Sequence, residues 1–409
     1  MSPGAAGEPG DLAARAEAAV AGFTSTGSKT PEALFGGPGG PTHLVRASGA
    51  RVETAGGRRL LDWTMALGAV ALGYGHPRVA EAAARAARDG AVGPLPHRLE
   101  IELAERLVAG YPGAEQARFF KTGAEAVHAA VRLARVATGR ERVVHAGYHG
   151  WLDGATTGAG VPAATAALWT GVAFDDGAAL AAAVAGTGPG GRGGAPAAIV
   201  LEPVIERAPS RAWLEEARRL ADRHGAVLIY DEIKTGFRLA RGGAAERWQV
   251  APDLAVLGKA LANGFPLAAV VGRRTVMARA RDTWISSTLA TEFVALAAAG
   301  AVLDVWDETD VAGHLAGVGR SVLHALGQGV GGEAAARGAP WTAAGLPEMW
   351  FLRFADPQAE RRFLLACVER GVLLKRGAYD FPSLAHDAAA VEETVAAIRA
   401  VTAELEPAR

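Results

Sequence analysis

Residues 253–272 read DLAVLGKALANGFPLAAVVG, two apolar runs with one lysine, Lys259, between them. Lysine is rarely fully buried unless it is paired. Its stem can lie along apolar surface while the amine reaches water. The alternative is an amine held where partial desolvation disfavours the ammonium form and leaves a nucleophile. The flanking runs are continuous and β-rich, as strands covered on both faces are. RVVHAGY, AAIVLEPV and AVLIYDEI read the same way, and SRAWLEEARRLADRHG between two of them has helical spacing and a Gly225 stop. This alternation predicts an α/β fold with a mostly parallel central sheet covered by helices.

Ligands of open parallel sheets sit beyond the carboxyl ends of the strands. Polar residues collect there in this chain: Tyr148-His149-Gly150, Glu202-Pro203, Asp231-Glu232 and Lys259 each follow an apolar run. Singly, each has an ordinary reading. Asp231 suits a helix cap or a surface acid, and Tyr148 suits an aromatic lid on the core. Thr122-Gly123-Ala124-Glu125 is a T-x-x-E capping box ahead of a helix whose Val127, Val131 and Ala134 share a face. Such a start is either an ordinary capped helix or, with its free N–H groups and positive dipole end, a phosphate site. Together the four features describe a pyridoxal phosphate site. The helix start meets the phosphate, the aromatic covers the ring, the acid keeps the ring nitrogen protonated, and the lysine binds the aldehyde. Neither G-x-x-x-x-G-K-[ST] nor a strand-borne G-x-G-x-x-G occurs, nor H-E-x-x-H, so no nucleotide fold and no metal site is expected.

With 409 residues the chain is long for one simple core. From about Thr291 it turns helical, then closes with short strands and a last helix from about Ala389. We therefore expect a large α/β domain over 56–292 and a smaller α+β domain made of 1–55 together with 293–409. HLVRASGARVETAGGRRLLDW reads as a hairpin around a Gly-Gly turn, and AVAGTGPGGRGGAPAA as a low-complexity loop. Lys+Arg 42 against Asp+Glu 43 gives a net charge of −1, which argues against nucleic acid or an anionic membrane as partner. The one cysteine, Cys367, fits a reducing compartment. The N-terminus lacks a secretory pattern, and no run approaches the ~18 apolar residues of a membrane span. The expectation is a cytoplasmic protein.

The ordered motifs LGYGHPRV, RFFKTGAEAVHAAVRLAR, GYHGW, LEPV, YDEIKTGFR, GKALANGFPLAAVVG, SSTLATEFVALAAA and SLAHD resemble those of class III aminotransferases, from about Phe35 to the C-terminus. The likeness is to the glutamate-1-semialdehyde aminomutase-like branch and implies the fold-type-I architecture of pyridoxal-phosphate enzymes. It further implies Lys259 as the Schiff-base lysine, Asp231 at the ring nitrogen, Ile233 beneath the ring and Tyr148 above it. Gly123 and Ala124 would give N–H groups to the phosphate, with the Thr122 hydroxyl nearby. Thr288 would complete the phosphate site of the other subunit, which implies a homodimer with shared active sites.

Two stretches depart from the family pattern. The usual N-S-G-T/S-E is KTGAE here, so Lys121 and Ala124 are atypical. The usual G-N-P is ATE, which brings in Glu292. Glu292 is either a selector of cationic or polyhydroxylated substrates or a plain helix-start acid. Lys375 and Arg376 in GVLLKRGAYDF are further substrate candidates. The resemblance implies transfer of an amino group between an amine or amino-acid donor and a carbonyl acceptor, such as a sugar, cyclitol or other specialised metabolite. The alternative on the same scaffold is an isomerase (aminomutase, racemase or epimerase) that needs no second substrate.

Overall fold

The computed structural model describes residues 9–187, 193–327 and 339–405. Residues 1–8, and residues 188–192 of the Gly-rich loop, lie outside them. The chain forms two compact units, one of Pro77–Ala312 and one of Met1–His76 with Gly313–Arg409.

Three strands open the chain: β1 (Leu44–Ser48), β2 (Arg51–Thr54) and β3 (Arg59–Asp62). Seven follow: β4 (Gln116–Phe120), β5 (Val143–Ala146), β6 (Trp169–Gly171), β7 (Ala198–Leu201), β8 (Val227–Asp231), β9 (Leu254–Leu257) and β10 (Ala268–Gly272). Three close it: β11 (Trp341–Leu346), β12 (Met349–Phe354) and β13 (Val372–Leu373).

In the Pro77–Ala312 unit the seven middle strands make one sheet, ordered β4-β10-β9-β8-β7-β5-β6. The links among β9, β8, β7, β5 and β6 are parallel. β10 runs antiparallel to both β9 and β4. Strands β7 to β10 are buried along their whole length, so both sheet faces are covered. The Gly123–Thr138 helix lays Val127, Val131 and Ala134 onto Val143, Val200, Ile229, Val256 and Val270. Each valine or isoleucine among them contributes about 1.5–3 kcal/mol on full burial. Ser210 caps the Arg211–His224 helix and Gly225 ends it at φ 59°, as its sequence predicts.

The expected boundary at residue 292 moves to 312. The reason is packing: the Phe293–Glu308 helix lies against the Pro77–Arg88 and Arg98–Gly110 helices of the sheet-bearing unit. The first boundary likewise falls at His76 rather than 55, because β3 pairs with β2 and with β13.

In the second unit, β1, β2, β3 and β13 form a four-stranded sheet and β11–β12 a separate hairpin. The expected single hairpin is thus a three-stranded meander, with reversals at Gly49-Ala50 and at 55–58. Its core gathers Trp63, Trp350, Phe363 and Ile398, all fully buried.

Candidate active site

The chemistry-bearing residues of the larger unit stand where β5, β7, β8 and β9 end. After Leu257 the backbone turns at Gly258, and Lys259 takes a left-handed φ of 46° at the head of a single 3-10 turn, Lys259–Ala262. Left-handed backbone is costly for a residue with a side chain and marks an imposed geometry. The turn closes through Leu261 N–H to Gly258 O at 3.0 Å, and the chain then returns as β10. Lys259 is therefore gripped by adjacent strands of one sheet, with its side chain only partly exposed. Burial first, then the Lys234 ammonium, pull its amine down to about 8; Glu202 and Asp231 oppose them.

Asp231 closes β8 and is 4% exposed. Its Oδ1 accepts from Ile233 N–H at 3.2 Å. Its Oδ2 lies 2.9 Å from Nδ1 of His149, a fully buried ring. Nε2 of His149 lies 3.1 Å from the Ala146 carbonyl, which fixes the ring between that carbonyl and Asp231. His149 thus orients the Asp231 carboxylate. Behind it stands His145, edge-to-face at 5.5 Å, and burial drives the His145 ring down to about 4, so it is neutral. Sequence reasoning passed over His149 because its neighbour Tyr148 carried the aromatic signal; HG after a strand end was the available clue.

The loop bearing Tyr148 is seated by two glycines. A Cβ on Gly147 (φ 106°) would lie 2.5 Å from Glu202 Cβ, and one on Gly150 (φ 98°) would lie 2.6 Å from Ala124 Cβ. Glu202 also accepts from Tyr148 N–H at 3.2 Å and pairs with Lys234. The Tyr148 ring itself is 69% exposed. Glu232, beside Asp231, is fully buried and faces away from this chemistry. It accepts from Ala244 N–H at 2.9 Å, Ala245 N–H at 3.0 Å and Tyr111 Oη at 3.2 Å, which ties down the loop after β8.

At the start of the Gly123–Thr138 helix the capping box is complete. Thr122 Oγ1 accepts from Glu125 N–H at 3.2 Å, and Glu125 Oε2 accepts from Thr122 N–H at 3.0 Å. The Gly123 and Ala124 N–H groups lead the helix, ahead of its internal ladder. A Cβ on Gly123 would meet Ile233 Cδ1 at 2.5 Å, and one on Gly258 would lie 3.5 Å from Ile233 Cγ1. Ile233 therefore joins the helix start to the Lys259 turn. A side chain at 123 would have to displace the Ile233 side chain from the helix start.

The structure thus brings Thr122, Gly123, Ala124, Tyr148, Asp231, Ile233 and Lys259 into one unit, at adjoining strand ends and one helix start. Thr288 lies in the exposed part of segment 283–292. Glu292 caps the Phe293–Glu308 helix, accepting from Val294 N–H at 2.8 Å and Ala295 N–H at 3.1 Å, and forms an ion pair with Lys121 at 2.6 Å. Arg238, in the loop after β8, is wholly buried. Lys375 and Arg376 belong to the other unit. There Lys375 Nζ donates to Arg376 O at 2.8 Å, and Arg376 pairs with Glu360 and Glu32. Among the described residues no cluster of His, Cys, Asp and Glu suits a metal ion.

The description "Aminotransferase class-III" matches residues 38–169 and 193–399. The chain belongs to this family. It is 35% identical to a glutamate-1-semialdehyde 2,1-aminomutase of Roseiflexus castenholzii, over 91% of this chain and 92% of that one. Among solved structures, FumI of Sphingopyxis sp. MTA144, solved with PLP, is 28% identical with a TM-score of 0.89, covering 97% and 96% of the two chains. A glutamate-1-semialdehyde aminomutase of Pseudomonas aeruginosa PAO1 shares the fold at 22% identity and a TM-score of 0.80, covering 97% and 94%. The architecture is that of the fold-type-I transferases.

Proposed function

We propose that this chain is a pyridoxal-phosphate-dependent aminotransferase that moves an amino group from an amine or amino-acid donor to a carbonyl acceptor of specialised metabolism, such as a sugar or cyclitol. The observation that carries this is the Lys259 amine beyond the carboxyl end of β9, lowered to about 8, in the same unit as the His149-oriented Asp231 and the Gly123 helix start. When bound, pyridoxal phosphate supplies an electron sink for the carbanion left by proton removal. The protein's own residues do the rest. Gly123 and Ala124 would hold the phosphate, Tyr148 and Ile233 would flank the ring, and Asp231 would keep the ring nitrogen protonated. Lys259 would hold the cofactor's aldehyde and, as a free amine, would act as base and then acid for the proton moved in the transfer. The working form is a cytoplasmic homodimer in which Thr288 reaches the partner's phosphate.

Borohydride treatment of wild type loaded with pyridoxal phosphate should leave a covalent adduct on Lys259, seen by peptide mass spectrometry. Lys259→Ala should show neither adduct nor turnover. An adduct elsewhere, or turnover in Lys259→Ala, defeats the assignment. The isomerase reading has one observation in its favour, the 35% identity to an aminomutase. Turnover of a single amine with no carbonyl acceptor would establish it instead.

A further inference from the structure

The two departures from the family pattern, Lys121 and Glu292, are partners. They stand 171 residues apart in sequence, yet Lys121 Nζ donates to Glu292 Oε1 at 2.6 Å. The same ammonium reaches the Pro266 carbonyl at 3.3 Å. Both side chains are mostly buried, 15% and 16% exposed. Lys121 immediately precedes Thr122, the cap of the phosphate-cradle helix. Pro266 belongs to the chain between the Lys259 turn and β10. Glu292 caps a second helix and ends the segment that carries Thr288. One ion pair therefore joins three segments that converge on the phosphate end of the site.

We infer that the Lys121–Glu292 pair is a positioning device: it locks the cradle helix, the approach to β10 and the 286–292 segment into one geometry, and contacts neither substrate nor ring. This rests on the phosphate reading given above. Glu292 already spends its oxygens on two helix N–H groups and one ammonium, which leaves it poorly suited to selecting a cationic substrate. Removing one partner leaves a mostly buried charge uncompensated, so the remaining partner must reorient towards water. The cradle and the Thr288 segment then lose their common anchor.

The test compares how apoenzyme binds pyridoxal phosphate and pyridoxal, which lacks the phosphate. Wild type should prefer the former. Lys121→Gln and Glu292→Gln should each lower that preference about tenfold, and the double variant should lose less than the two singles combined, because no unpaired charge remains. Lys121→Arg and Glu292→Asp keep the charges and change only the length of the pair, so they report on geometry even where a neutral variant fails to fold. A smaller loss of preference in these two supports the inference. Equal weakening for both ligands means a general structural role and overturns the inference, as does strict additivity. A changed amine-donor preference in Glu292→Gln would return that residue to substrate selection. If wild type itself does not distinguish the two ligands, the phosphate reading fails first.

Discussion

At Lys259 three effects act in one direction: burial strips water from the amine, and the Lys234 ammonium and then the Arg238 guanidinium disfavour a further positive charge. Only the neutral amine attacks a carbonyl. Cofactor attachment should therefore rise with pH and reach half its maximal rate near 8. Lys234→Met removes the cation, so the amine holds its proton more tightly and the curve should move up by about one pH unit. Stopped-flow absorbance across pH checks this; an unmoved curve removes Lys234 from the causes and leaves burial and Arg238. At this scale Lys259, Asp231 and the capping box were legible because each sits at a strand end or helix start. His149 and the Lys121–Glu292 pair were not. Their meaning lies in partners 82 and 171 residues away, and one sequence has no means of pairing them.

Among elements, the loop 147–150 is held by close approach rather than by regular hydrogen bonding. Gly147→Ala would force a Cβ into Glu202 at a backbone angle that disfavours side chains. The overlap should cost about 1–3 kcal/mol in urea unfolding, on top of backbone strain of similar size. Gly139→Ala is the control. It also has a left-handed φ, 66°, but nothing stands within 4 Å of the added Cβ. It should lose only about 1–2 kcal/mol. Equal losses would mean that Glu202 yields freely. The strands were easy to find in sequence because burial on both faces leaves an unbroken apolar run. Their direction was not, since an apolar run looks the same either way; β10 is antiparallel because the tight Lys259 turn reverses the chain. The helix at 293–308 was seen, but its partners were not, and so the domain boundary was misplaced.

For the whole molecule, the larger unit presents Leu95, Ile101, Trp151, Trp284 and Leu289 to solvent, each more than half exposed. Where such side chains form one contiguous patch, they mark an association surface. Light scattering should give a dimer mass, and Trp284→Glu should shift it towards monomer; a wild-type monomer would remove the shared-site proposal. Sheet order carries a separate consequence for biosynthesis. β4 pairs with no strand but β10 among the described residues. During translation β4 leaves the ribosome early, and its neighbour follows only after residues 121–267 have been added. At ordinary elongation rates that wait is on the order of ten seconds. Through it the nascent chain carries an unpaired apolar strand next to the unfinished cradle, guarded in its middle by the charge of Arg118. In the finished sheet β10 lies between β4 and β9, so the strand next to the cradle stays unpaired until the Lys259 turn has been made.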